Sequence, residues 1–277
     1  MADLPKHGLI NFYKRRGETP LQALDRLRAD YPEYKDAVLS YAGRLDPLAS
    51  GVLLVMTGDA NKNRDEHLGL SKEYEVEILF GVSTDTYDVL GLIVDTAKKK
   101  EFKQYENSLS EAVKDSFKKI ISKGELSYPP YSSRPVKGKP LFEWAREGRL
   151  SEIEIPKQKG KIKNIEFMSL ENIPADILQP KIHSMIKRVS GDFRQDQIMK
   201  GWDDYFLMLN ATISDRATRT FQVLKIRVNS ESGAYMRSLA NEIGKSLGLP
   251  SLAFSIVRTK AGNYNIKDSL GFEEKSS

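Results

Sequence analysis

The sequence predicts an α+β fold, and three observations carry that expectation. Apolar and polar residues alternate at strand spacing in Tyr74–Phe80 and again at Leu224, Ile226 and Val228. Other segments carry apolar stripes at helical spacing, with cap residues at their ends. The order of these segments is rich in hairpin turns and lacks the regular strand–helix–strand alternation of a parallel sheet.

From the N-terminus, Thr19, Pro20 and Gln22 mark a helix start: Thr19 as N-cap, Pro20 at N1 and Gln22 closing a capping box. Leu21, Leu24 and Leu27 then line one face of that helix. Gly43-Arg44-Leu45-Asp46-Pro47-Leu48-Ala49-Ser50-Gly51 is a tight loop feeding the apolar run Val52–Met56, which reads as a buried strand. After the Tyr74–Phe80 strand, a polar loop from Gly81 to Gly91 leads to Leu92-Ile93-Val94, so a hairpin is expected. Ser108 and Glu111 suggest a second capping box, opening a helix through Val113, Phe117 and Ile120 that Gly124 ends.

Residues 128–150 resist regular structure because of Pro129, Pro130, Pro135, Gly138 and Pro140, apart from a short helix from Leu141 to Glu147. Ile182, Met185, Ile186 and Val189 form a helical stripe that ends at Gly191, and Asp192 with Gln195 caps a second short helix towards Trp202. Strands are expected near 205–213 and 221–228. A helix through Met236, Leu239, Ala240, Ile243 and Leu247 follows, closed by Gly248 and Pro250, then a last strand near 252–260 and a polar tail. No internal repeat is visible.

Composition narrows the function. The 277 residues carry a net charge of +5, no cysteine and three widely spaced histidines, His7, His67 and His183. Thiolate sites and disulfides are excluded, and a metal centre is not expected, although a carboxylate-only Mg²⁺ site stays open. The start of the chain has no apolar segment of signal-peptide type, and Val52–Met56 is far short of the roughly 18 apolar residues of a membrane helix. A cytoplasmic location is the expectation. Residues 134–163 hold nine Lys/Arg against four Glu, a local surplus that suits either a phosphate backbone or a solvated loop.

Asp46 sits between a turn glycine and Pro47, directly before a buried strand. That is a rigid mount for a carboxylate, although an Asp-Pro of this kind also serves as a turn cap. Arg237 falls at a helix start, where the macrodipole disfavours a cation, so it either reaches solvent or has a carboxylate partner. Tyr74 opens a strand as a core aromatic or a ring facing a site.

These residues lie in segments that resemble the TruB-type tRNA pseudouridine synthases. The Asp46 loop resembles that family's Gly-x-Leu-Asp-Pro-x-Ala-Thr/Ser-Gly. Ser232-Gly233-Ala234-Tyr235-Met236-Arg237-Ser238-Leu239-Ala240 resembles Gly-Thr-Tyr-Ile-Arg-Ser/Thr-Leu-Ala, and Lys72-Glu73-Tyr74 resembles Lys-x-Tyr. Thr84-Asp85-Thr86-Tyr87-Asp88-Val89-Leu90-Gly91 is similar to Thr-Asp-Thr-x-Asp-x-x-Gly. Pro129-Pro130-Tyr131-Ser132-Ser133 with Lys139–Gly148 resembles the family's thumb, and Lys14 with Gly17-Glu18-Thr19-Pro20 resembles its Lys-Pro-x-Gly-x-Thr-Ser segment.

The resemblance implies a twisted, mainly antiparallel mixed sheet flanked by helices, with a central RNA-binding cleft in one catalytic domain over 1–277. It implies isomerisation of a T-loop uridine without a cofactor. Asp46, Tyr74 and Arg237 would be catalytic, and Tyr41, Arg44, Asp88, Lys137, Lys139, Arg146 and Arg149 would bind RNA. Asp88 ranks above Asp85, because it matches the second acid of its motif. The implied partner is a tRNA T-arm stem-loop, bound by a monomer with no obligatory protein partner and no membrane.

Four departures stand out. Tyr41 occupies a position where the family often has histidine, and Arg44 is shared with the Arg-Leu-Asp of ribosomal-RNA pseudouridine synthases. An accessory helical insertion is expected over about 170–205, and no C-terminal PUA domain is recognisable after the last strand. The rival readings are a synthase acting on ribosomal or other RNA, and an RNA-binding or RNA-folding module without catalysis.

Overall fold

The apolar run behind the Asp46 loop forms a strand buried along its whole length, and an eight-stranded sheet is organised around it. A computed structural model describes residues 5, 7–98, 105, 108–158, 160–211 and 220–273. In chain order the strands are β1 (Gly8–Lys14), β2 (Leu39–Ala42), β3 (Ser50–Thr57), β4 (Lys72–Phe80), β5 (Val82–Thr84) and β6 (Ile93–Thr96). There follow β7 (Pro135–Val136), β8 (Lys139–Pro140), β9 (Ile162–Pro174), β10 (Thr220–Ser230), β11 (Ser251–Ala261) and β12 (Tyr264–Asn265). The helices are α1 (Pro20–Asp30), α2 (Arg64–Gly69), α3 (Leu109–Lys123), α4 (Leu141–Arg146), α5 (Ala175–Lys187), α6 (Gln195–Ala211) and α7 (Met236–Leu247).

The main sheet runs β1-β3-β11-β4-β10-β9, with β2 added to β3 and β12 to β11. Every pairing is antiparallel except β3 with β11, where Ser50 faces Val257 and Gly51 faces Arg258. The α+β class is the one the residue pattern predicts, and the mainly antiparallel mixed sheet is the one the family resemblance implies. β5 and β6 form the expected hairpin.

Helices cover the sheet in three groups, each burying an apolar stripe. Leu24 and Leu27 of α1 pack on Phe12, Leu53 and Val55. Val113 and Phe117 of α3 join Leu239 and Ile243 of α7 over Val76, Ile78 and Ile226. Ile182 and Ile186 of α5 meet Ile198, Trp202 and Phe206 of α6 over Leu79, Val223 and Leu252.

The Thr19–Gln22 capping box is present in full, with Thr19 N donating to Gln22 Oε1 at 2.7 Å. Several expectations are corrected. Ser108 is the N-cap of α3, but its side chain makes no capping bond, so the second capping box does not form. Residues 205–211 are the end of α6 and not a strand, whereas 212–213 lie outside the described residues. The run Tyr205–Leu209 is apolar throughout and has no period of its own. What decides it is the four-residue spacing of Ile198, Trp202 and Phe206, all buried on one helix face. The second helix of this pair is therefore long, and the two helices span Ala175–Lys187 and Gln195–Ala211.

Residues 162–174 form β9, an edge strand whose partly exposed pattern hides it from a hydrophobicity reading. β1 was likewise not foreseen. The described part of the polar tail, to residue 273, is structured: Leu270 N donates to Asn11 O at 2.8 Å and Tyr13 N donates to Leu270 O at 2.9 Å, so this segment closes on β1.

Candidate active site

The Asp46 loop is held by two buried basic side chains. Lys14, at an inward position of β1, is fully buried, and its Nζ donates to the carbonyls of Ala49 (2.6 Å), Arg15 (3.1 Å) and Pro47 (3.3 Å). Arg258 of β11 is also buried; it donates Nε to Val52 O at 2.6 Å and Nη2 to Gly43 O at 3.1 Å. Gly51 has φ +110°, and a Cβ there would lie 2.2 Å from the Arg258 carbonyl oxygen. Only glycine lets β3 and β11 approach at that point. The mount is rigid because three strands and the hydrogen bonds of these two buried side chains fix it.

Across the cleft, Tyr235 caps α7 and places Arg237 in its first turn. Arg237 Nε donates to Asp46 Oδ2 at 2.8 Å and Nη2 donates to Oδ1 at 3.0 Å. Its remaining donors reach Thr86 O (2.8 Å) and Tyr131 O (3.1 Å), and Nε lies 3.8 Å from Asp88 Oδ2. The side chain of Arg237 is 4% exposed, whereas that of Asp46 is 27% exposed. The carboxylate therefore faces the cleft and the guanidinium lies behind it. Burial disfavours the Arg237 charge, yet Asp46 and Asp88 hold its pKa above the ordinary value.

Asp88 is nearly closed to solvent. It accepts from Thr86 Oγ1 at 2.8 Å and from Leu90 N at 2.9 Å, both on Oδ1. Burial pushes its pKa up to about 6; Asp46 adds to the rise, and Arg237 opposes it. Asp85 turns the other way, accepting from Leu92 N (2.8 Å) and pairing with Arg194 (2.9 Å).

Two adjoining cavities meet at Asp46. The larger, about 440 Å³, takes in Tyr41, Arg44, Asp88, Arg146 and Arg237 as well. The smaller, about 190 Å³, shares Arg44 and Asp46 and is lined by Lys72, Tyr74 and Arg258. Tyr74 is thus a core ring of β4 that also faces the space beside Asp46. Lys72 donates to Leu68 O at 2.7 Å and to Ser232 Oγ at 3.1 Å; burial, helped by Arg258, lowers its pKa to about 8.

The structure does not bring every expected residue to the cleft. Lys139 and Arg149 lie over Trp144 and pair with Glu147, Arg149 also pairs with Glu152, and Lys137 donates to Glu152 O at 3.2 Å. This cluster stands apart from the cavity lining, and Lys159 of the basic segment lies outside the described residues. Tyr235, Arg194 and the loop-gripping roles of Lys14 and Arg258 were not foreseen. Lys14 had a usable signal, a lysine in phase with the inward Ile10 and Phe12. Among the described residues, no group of three His, Asp or Glu gathers to hold a metal, and no helix is long and apolar enough to cross a membrane.

Residues 34–195 match the model of the TruB family pseudouridylate synthases (N terminal domain). The chain is 30% identical over 270 residues to tRNA pseudouridine synthase B of Staphylococcus aureus (strain MSSA476), covering 97% of this chain and 70% of that relative. The protein of the same name from strain Newman is 30% identical over 268 residues, with the same coverage. Among solved structures, a Cbf5-Nop10-Gar1 complex contains a chain of 18% identity that superposes with a TM-score of 0.50 over 94% of this chain. This chain spans 50% of that one's length, and the likeness is one of fold.

Proposed function

We propose, from the premise that the chain belongs to the TruB family of pseudouridylate synthases, that it converts a T-loop uridine of tRNA to pseudouridine. The observation that carries this reading is the two-bond pairing of Asp46 with Arg237 on the floor of an open cleft.

The reaction breaks the N1–C1′ bond, turns the base, forms a C5–C1′ bond, and moves a proton from C5 to solvent while N1 gains one. It is redox-neutral. Asp46 would attack C1′ or take a sugar proton; both roles need the anion, and Arg237 supplies its counter-charge without blocking its exposed face. Tyr74 would stack against the extruded base in the smaller cavity. Tyr41, Arg44, Asp88 and Arg146 would line the path of the flipped nucleotide. Lys137, Lys139 and Arg149 would give the 128–150 thumb its charge for the phosphate backbone.

On this reading the chain works as a monomer in the cytoplasm, without an obligatory protein partner, and takes the T-arm stem-loop by its folded shape. The test is a T-arm transcript scored by pseudouridine-specific chemical labelling, alongside versions with the stem unpaired and then re-paired in a different sequence. One modified uridine is expected, lost on unpairing and restored on re-pairing. Inactivity on T-arms with turnover of a ribosomal RNA fragment would move the target to ribosomal RNA.

A further inference from the structure

The turn joining α5 to α6 folds over the cleft. Its residues Asp192, Phe193 and Arg194 line the same cavity as Asp46. Gln195 holds the turn in shape, donating Nε2 to Val189 O (3.1 Å) and Gly191 O (2.6 Å) and accepting from Phe193 N (2.8 Å). At the other side, the Arg188 carbonyl fits against Gly17, where a Cβ would lie 2.4 Å from its oxygen. The insertion is therefore docked at the cleft rim.

Arg194 adopts φ +62°, a conformation that non-glycine residues hold only where surroundings enforce it. Its Nη1 donates to Asp85 Oδ2 at 2.9 Å and its Nη2 to Oδ1 at 3.4 Å. The flat guanidinium lies 4.5 Å from the centre of the Tyr131 ring. Asp85 and Tyr131 belong to separate segments, and those segments supply the Thr86 and Tyr131 carbonyls that receive Arg237. Arg194 thus joins, by side chain, the two pieces of backbone that orient the partner of Asp46.

We propose that Arg194 is a positioning residue for the Asp46–Arg237 pair, contributed by the helical insertion through its clamp on Asp85 and Tyr131. A direct phosphate contact is the competing role for an arginine at a cleft wall. The geometry disfavours it: Asp85 already neutralises the charge, Tyr131 covers one face, and the side chain is 23% exposed. The inference rests on the reading that Asp46 acts on a uridine in RNA.

The experiment measures kcat, KM and the salt dependence of RNA binding with a T-arm stem-loop, for the unaltered protein, Arg194→Gln, Arg194→Lys, Asp85→Asn and the Asp85→Asn/Arg194→Gln double variant. An inactive unaltered protein would defeat the functional reading before Arg194 is reached. Given activity, Arg194→Gln should lower kcat about tenfold while KM stays within about twofold, because misplacing a catalytic group slows chemistry more than binding. The double variant should be no slower than the worse single one, since either change opens the same clamp. Arg194→Lys keeps the charge without the planar fork and should fall between the two; it decides the matter if Arg194→Gln does not fold. A raised KM and a shallower salt dependence with kcat retained would make Arg194 a phosphate contact and overturn the proposal. Unchanged kcat, or loss of thermal stability alone, would overturn it as well.

Discussion

Arg237 grips Asp46 through two parallel hydrogen bonds, 2.8 and 3.0 Å long, across 191 residues of sequence. Such a pair fixes both the charge and the direction of the carboxylate. Asp46→Asn keeps the shape but removes the charge, the nucleophile and the base. Turnover on a T-arm transcript is expected to vanish while RNA affinity stays within about threefold. Single-turnover labelling and filter binding on the same preparation check this; substantial turnover by the variant would take the catalytic role away from Asp46.

Lys14 makes a second, subtler test of the mount. Burial lowers its pKa to about 7, with Glu18 and Asp46 partly opposing and Arg258 adding to the fall. Between about pH 7 and the ordinary lysine value of 10.5, the unfolded chain binds a proton that the native state has released. This group therefore makes stability rise with pH across that window. Lys14→Met should remove that part of the slope and take the lysine donor from the Ala49 and Pro47 carbonyls, of which Pro47 O keeps the Gly17 N–H at 2.8 Å. A loosened loop should cost about tenfold in kcat. Denaturant unfolding at several pH values, with kcat beside it, reads both effects; full activity would show that Asp46 is positioned without Lys14.

The sequence made the local devices legible and the long-range ones only in part. The capping box at Thr19 and Gln22, the stripe on α7 and the alternation of β4 each depend on neighbours within a few residues. Asp46 and Arg237 stood out through their immediate surroundings and the resemblance of both segments to one family. Arg258 did not, because a lone arginine in an apolar strand gives no sign of the carbonyls it meets more than 200 residues away. The Arg194 clamp was invisible for the same reason: its partners come from two other segments. β9 was missed because an edge strand with one wet face carries a weak pattern.

Asp88 predicts an opposition between stability and activity. Its folded pKa, about 6, is raised above the ordinary 3.8, chiefly by burial. Between those values the native state holds a proton that the unfolded chain has lost, so this group makes stability fall as pH rises through the window. Asp88→Asn preserves an oxygen for Thr86 Oγ1 and Leu90 N while removing the buried charge. The variant should lose that slope and gain on the order of 1–3 kcal/mol at pH 7. Its kcat should fall, because Arg237 then has Asp46 as its one acidic partner in the cluster. Urea titrations between pH 4 and 8 give the answer; an unchanged slope would remove Asp88 as its source.

The cations between Lys137 and Arg149 fall into two groups that RNA should distinguish. Arg146 lines the main cavity, with its guanidinium 5.6 Å from the Phe142 ring centre. Lys139 and Arg149 instead share Glu147 over Trp144, and Arg149 adds Glu152. A phosphate approaching the second group meets nearby carboxylates, so fewer counterions are displaced per cation. Arg146→Gln should weaken RNA binding with little sequence preference and flatten the salt dependence by about one phosphate contact. Lys139→Gln with Arg149→Gln should flatten it by less than the two contacts their charges would give in isolation. Both variants need only an equilibrium titration at several salt concentrations, made in the Asp46→Asn background so that turnover does not intervene. A loss of two full contacts from the paired substitution would show that RNA displaces Glu147 and Glu152 and takes these cations for itself. No change from Arg146→Gln would mean that the backbone follows the Trp144 side of this segment and leaves the cavity wall untouched.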